Sequence, residues 1–117
     1  MHSDFLEEYT QKTYINLVKK KTEFSIVLNR SLFLREHKSI QQRIIRNSIL
    51  DINGNLQGFT EKHISYILEL FSEGATGKSI DLIDNIIAKT SYDNFTIEKK
   101  REIKNKDFLY KLNIGES

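Results

Sequence analysis

Cysteine is absent from this 117-residue chain, which excludes a disulfide framework and a thiolate metal site and is compatible with a reducing cytoplasm, the compartment expected here. Proline is absent too, so no turn draws on its fixed φ. No apolar run reaches the length of a membrane span and no signal-peptide pattern opens the sequence, so no membrane partner is expected. His2, His37 and His63 have neither helical i, i+4 pairing nor a nearby cysteine, which speaks against metal ligation. The carboxylates are scattered, and no Ser/His/Asp arrangement follows from spacing. No residue is nominated as catalytic.

What is present describes a soluble globular chain: 38% hydrophobic residues, 29% charged, and a length that suits one domain with a workable core. The net charge of +2 conceals blocks. Residues 19–46 carry net +6, residues 47–98 carry net −5, and residues 99–111 return to net +4. Basic blocks are commonly solvated surface, but they also contact phosphates, and each neutralised phosphate then appears in the salt dependence of binding.

Residues 74–99, GATGKSIDLIDNIIAKTSYDNFTIEK, are the most informative stretch. Gly77, Lys78 and Ser79 match the end of a phosphate-binding loop, G-x-x-x-x-G-K-[ST], but Ser72 occupies the place of its first glycine. The order is also reversed, because a helical pattern precedes the loop and strand patterns follow it. Thr60 is placed to cap a helix whose apolar residues Ile64, Ile67, Leu68 and Phe71 recur at 3.6-residue spacing, with Phe59 as a hydrophobic staple on Ile64. Gly74 reads as its left-handed stop. Ile80 and Leu82 alternate with polar neighbours, and two β-rich runs flank Asp93-Asn94 as a hairpin whose Phe95 and Ile97 belong to the core.

Upstream, Asp4-Phe-Leu-Glu7 has the spacing of a capped helix start, and the helix is expected to run to about Lys21, with Lys19-Lys20-Lys21 at its negative end. Phe24 to Leu28 has β character, or forms an extended connector. Asn29 is placed to cap a short helix through Leu34 that leaves Arg30 and Arg35 exposed. Ser39-Ile-Gln-Gln42 reads as a capping box, followed by a core stripe of Ile40, Ile44, Ile45, Ser48, Ile49 and Ile52. Arg43 and Arg46, three apart, share the neighbouring face. They form either a paired phosphate clamp, for which the guanidinium fork is suited, or internal ion pairs with Glu36 or Asp51. Asn53-Gly54-Asn55 and Gly58 end that helix.

The run from Ile40 to Lys99 resembles the region that follows the catalytic domain of tRNA(Ile)-lysidine synthetases. I-Q-Q-R-I-I-R at 40–46 is similar to that family's L/I-Q-x-R-x-x-R helix. K-H-I at 62–64, G-A-T-G-K at 74–78, I-D-L at 80–82, I-I-A-K at 86–89 and Tyr92 follow in the family's order. The chain departs at Ile83, where the family usually has proline, so the loop at 83–85 is expected to differ in shape. The family's S-G-G-x-D-S loop, which holds ATP phosphates, has no match.

The resemblance implies an accessory domain of a larger enzyme that joins lysine to the wobble cytidine of tRNA(Ile) with ATP and magnesium. The chain itself would hold no cofactor and no ligase activity, and its partners would be tRNA(Ile) and the parent's N-terminal catalytic domain. The candidate tRNA-binding residues are Arg43, Arg46, Lys78, Lys89 and Tyr92. Tyr92 would stack on an unpaired base, although a hairpin aromatic more often packs on a neighbour such as Phe95.

The fold expected is α+β, with about three main helices and a short one followed by a small antiparallel sheet. Residues 1–38 read as an N-terminal helix and connector, 39–103 as the helix-helix-hairpin core, and 104–117 as a tail. In that tail Phe108, Tyr110, Leu112 and Ile114 alternate like a strand, expected to be poorly ordered unless it pairs with the hairpin. The competing function is a stand-alone helical adaptor that binds protein and no nucleic acid.

Overall fold

The computed structural model describes residues 5–100. Four helices pack on a five-stranded antiparallel sheet, the α+β class expected from the sequence. In chain order these are α1 (Phe5–Leu17), β1 (Val18–Lys21), β2 (Ser25–Asn29), α2 (Arg30–Arg35), α3 (Lys38–Asn53), α4 (Glu61–Ser72), β3 (Ser79–Asp81), β4 (Ile86–Thr90) and β5 (Asn94–Lys99). A single 3₁₀ turn, Ile83–Asn85, separates β3 from β4. The strand order β1-β2-β5-β4-β3 places β2, from the N-terminal part of the chain, beside the hairpin strand β5.

The core is built where the helical stripes meet the inward rows of the sheet. Ile26, Ile97, Ala88 and Ile80 lie in one cross-strand row, and Leu28, Phe95 and Thr90 in the next. Ile44, Ile45 and Ile49 of α3 and Ile67 and Phe71 of α4 are fully buried in the cluster that also holds the inward strand residues. At its centre Phe71 and Phe95 stack with centroids 4.0 Å apart, and Phe33 of α2 meets both edge-on at 5.5 and 5.4 Å. Such pairs add about 0.5–1.5 kcal/mol each beyond area burial. The α3 and α4 stripes read from the sequence are the buried ones, Ser48 included, whereas α1 buries Thr10, Thr13, Tyr14 and Leu17 and leaves Phe5, Tyr9 and Ile15 exposed.

Several local expectations give way to tertiary contacts. The first helix stops at Leu17, four residues before Lys21, because Val18–Lys21 pairs with β2 as an edge strand with a bulge between Val18 and Lys20. β-Branched Val18 and three lysines suit an exposed edge. Phe24 to Leu28 is therefore mostly a strand in the sheet. Helix α3 begins at Lys38 with His37 as its cap, whose Nδ1 accepts the Ser39 N–H at 3.1 Å. Ser39 thus lies inside the helix and does not open a capping box with Gln42, while the neighbouring Gln41 donates to the Phe33 and Glu36 carbonyls that close α2.

Asn29 caps α2 as expected, its Oδ1 accepting the Leu32 N–H at 3.0 Å. Thr60 stands at the N-cap of α4, where its own N–H donates to His63 Nδ1 at 3.0 Å. Gly74 follows α4 at φ +80°, the left-handed stop. The loop after Leu82 turns without proline through two left-handed residues, Asp84 at φ 57° and Asn85 at φ 63°. The Asp4 cap and the alternating tail at 104–117 lie outside the described residues. No helix among those described is long and apolar enough to cross a membrane.

Candidate nucleic-acid interface

The loop carrying Lys78 is defined by two glycines in the left-handed region, Gly74 at φ +80° and Gly77 at φ +73°. They reverse the chain between α4 and β3, a geometry side-chain-bearing residues rarely adopt. The loop is then stitched to the end of β4. Gly77 N–H donates to the Thr90 carbonyl at 2.9 Å, Lys78 N–H to Thr90 Oγ1 at 3.2 Å, and Thr90 N–H returns to the Lys78 carbonyl at 2.8 Å. Both amides are thus used within the fold, and a helix precedes the loop while a strand follows it. The arrangement differs from a phosphate-cradling loop in each respect. The Lys78 side chain is exposed.

Two residues beyond Thr90, Tyr92 sits in the turn between β4 and β5 and is 83% exposed. It does not pack on Phe95, whose buried ring is occupied by Phe33 and Phe71. The turn is held from three sides. Ser91 N–H donates to the Asn94 carbonyl at 2.9 Å, and Arg30 N–H to the Asp93 carbonyl at 3.0 Å. Arg30 Nη1 reaches the Ser91 carbonyl at 2.7 Å while its guanidinium lies 5.2 Å from the Phe95 ring centroid. Lys19 Nζ donates to Asn94 Oδ1 at 2.7 Å.

Arg30 is therefore half-buried and folded onto the hairpin, a correction to the exposed position expected for it. Sequence spacing offered no sign of either Lys19 or Arg30 at this turn. They lie 75 and 61 residues from their hairpin partners, and only the β2–β5 pairing brings them together.

Lys89 lies on the sheet face opposite the core, in register with Ser79 and Thr96, and pairs with Glu98 at 2.9 Å. Lys78, Lys89 and Tyr92 thus occupy one end and the adjoining open face of the sheet. Arg43 and Arg46 are elsewhere. Arg43 is exposed on α3, while Arg46 Nη2 meets Glu61 Oε2 at 2.8 Å. The internal partner of Arg46 is thus Glu61, neither Glu36 nor Asp51. Glu61 opens α4 and the Lys78 loop follows that helix, so the two groups are separated along α4, a 12-residue helix about 18 Å long at 1.5 Å per residue.

Among the described residues the perturbed titrations belong to α1. Burial and the hydrogen bond to Asp51 at 2.6 Å push the Tyr14 hydroxyl well above its ordinary value, and the bond to Glu36 at 2.8 Å raises Tyr9. Asp51 also meets Lys21 at 3.2 Å, so this network ties α1 and β1 to α3. Among the described residues no three His, Asp or Glu side chains gather as a metal-holding group. The chemistry on offer at the sheet end is cationic and aromatic, suited to phosphates and base faces.

No family model matches the chain. Over 100 residues it is 39% identical to the tRNA(Ile)-lysidine synthase of Clostridium tetani (strain Massachusetts / E88), which covers 80% of this chain and 21% of that protein. Over 112 residues it is 24% identical to the tRNA(Ile)-lysidine synthase of Clostridioides difficile (strain 630), covering 96% of this chain and 24% of that one. The chain thus spans between a fifth and a quarter of the length of these curated relatives.

Proposed function

We propose, on the premise that two such similarities support the tRNA(Ile)-lysidine synthase family for this chain, that it is the tRNA-engaging accessory domain that follows the catalytic domain of such an enzyme. The 39% identity over 100 residues is the observation that carries this reading. On it, the catalytic domain of the same parent binds ATP and magnesium and forms the C–N bond between lysine and the wobble cytidine. This chain, which lacks an S-G-G-x-D-S motif, contributes affinity for tRNA(Ile) and a surface against that domain. The parent works in the cytoplasm, where its tRNA is found.

The geometry supports a role in tRNA contact through two groups of side chains. Lys78, Lys89 and Tyr92 sit at the sheet end, and Arg43 and Arg46 sit on α3. Glu61 is 82% exposed, so its pair with Arg46 contributes roughly 0–1 kcal/mol and gives way readily to a phosphate. Lys78 makes no ion pair among the described residues. The test is a titration of this chain with tRNA(Ile) across a salt series. The expected result is affinity that falls log-linearly with salt. Absence of tRNA binding at low salt would remove the reading and leave the adaptor alternative.

A further inference from the structure

We propose that the β4–β5 turn presents Tyr92 as a stacking surface for one unpaired base of an RNA strand, with Lys78 and Lys19 beside it for the flanking phosphates. This rests on the tRNA reading above and names the part of the ligand that this end of the sheet takes. An aromatic ring left 83% exposed on a loose loop would carry little meaning. Here the loop is fixed. Main-chain bonds from Ser91 and Arg30, the Arg30 guanidinium on the Ser91 carbonyl, and Lys19 on Asn94 hold the residues on both sides of Tyr92. Arg30 is in turn held over the buried Phe95 ring.

The ordering cost of the turn is therefore met in the folded chain, and a base that stacks on Tyr92 need not supply it. A paired base has both faces covered within its helix, whereas an unpaired base offers a face to an aromatic side chain. Lys19, Arg30 and Lys78 lie around the turn, with Asp93 opposing them within it, while Lys89 on the adjoining face is already paired with Glu98. A nucleic-acid strand suits that balance of charge. Arg30 acts here as a positioning residue, since it shapes the turn through its backbone and ring contacts.

The experiment uses this chain and two RNA probes, each with one 2-aminopurine: a single-stranded dodecamer, and a blunt-ended duplex in which the same base is paired. Binding of the single strand is expected to quench the fluorophore, with little further quenching in the duplex. Tyr92→Ala should lower single-strand affinity about 5- to 150-fold, the range that base–aromatic stacking supplies, and abolish the quench. It should change affinity for the duplex less than about twofold. Tyr92→Phe keeps the ring and should behave as the parent chain does. Lys78→Ala should weaken binding yet leave the quench at saturation, which separates charge from stacking.

Equal losses for both probes in Tyr92→Ala, or no loss in either, would overturn the stacking surface while binding of tRNA by the parent chain keeps the accessory-domain reading intact. If the parent chain binds neither probe nor tRNA, both readings fall together.

Discussion

Gly58 and Gly74 differ in what a methyl group would cost them. Both are left-handed, at φ +86° and +80°, but a Cβ on Gly58 would meet Ile83 Cδ1 at 2.9 Å, whereas one on Gly74 would find open space. The left-handed conformation costs an L-residue roughly 1–2 kcal/mol. Gly74→Ala should lose about that much in urea unfolding, and Gly58→Ala that much plus a small further loss for turning the end of the Ile83 side chain aside. Tyr14 gives a second prediction at this scale. Its hydroxyl is held protonated by burial and by Asp51, so the folded value lies above the ordinary one of 10.0. Its contribution is complete below pH 10 and is lost as pH rises beyond, because the unfolded chain then releases a proton that the folded chain keeps. The thermal midpoint should decline above pH 10, and Tyr14→Phe should make that decline shallower. An equally steep decline in the variant would mean that other groups govern it. Glycine identity could be read from sequence at both positions; the Ile83 contact and the Tyr14–Asp51 bond, across 37 residues, could not.

At the scale of elements, the helices were the legible part. Two apolar stripes at 3.6-residue spacing became α3 and α4 and their buried faces, since one surface must face the core whatever lies opposite it. The strands were less so. Val18–Lys21 carries a lysine run that also suits a helix end, and the choice between helix and edge strand depends on a partner, β2, that local sequence does not display. The sheet has a further consequence. Strands β2, β5 and β4 each have neighbours on both sides, while among the described residues β1 and β3 are edges. Amide exchange should be slowest in Ile26–Leu28, Phe95–Ile97 and Ile87–Lys89, and faster by orders of magnitude in Lys19–Lys20 and Asp81. Uniform protection across the five strands would mean that something covers the edges.

For the whole molecule, the question is how two groups of basic side chains, separated along α4, share one ligand. A single tRNA that spans both should respond to each. Replacing Arg43 and Arg46 with alanine, and separately Lys78 and Lys89, should each make the log–log salt slope shallower, by about one unit for every phosphate contact removed. With no contact joining the groups, their effects on affinity should add when combined. If one pair changes nothing, the tRNA reaches only the other group. Far-UV circular dichroism should be unchanged throughout, because none of the four side chains is buried in the core.

By itself the sequence determined the helix stripes, the glycine stop at Gly74, the α+β class and the resemblance to one family, all of which live in spacing along a short stretch of chain. The tertiary structure alone decided that α1 ends at Leu17, that Arg46 faces Glu61, and that Lys19 and Arg30 join Lys78 around an exposed Tyr92. Periodicity is a local property that every window of residues displays. The partner of a strand end, or of an arginine fork, is set by which distant segment the shared core brings alongside, and no window contains it.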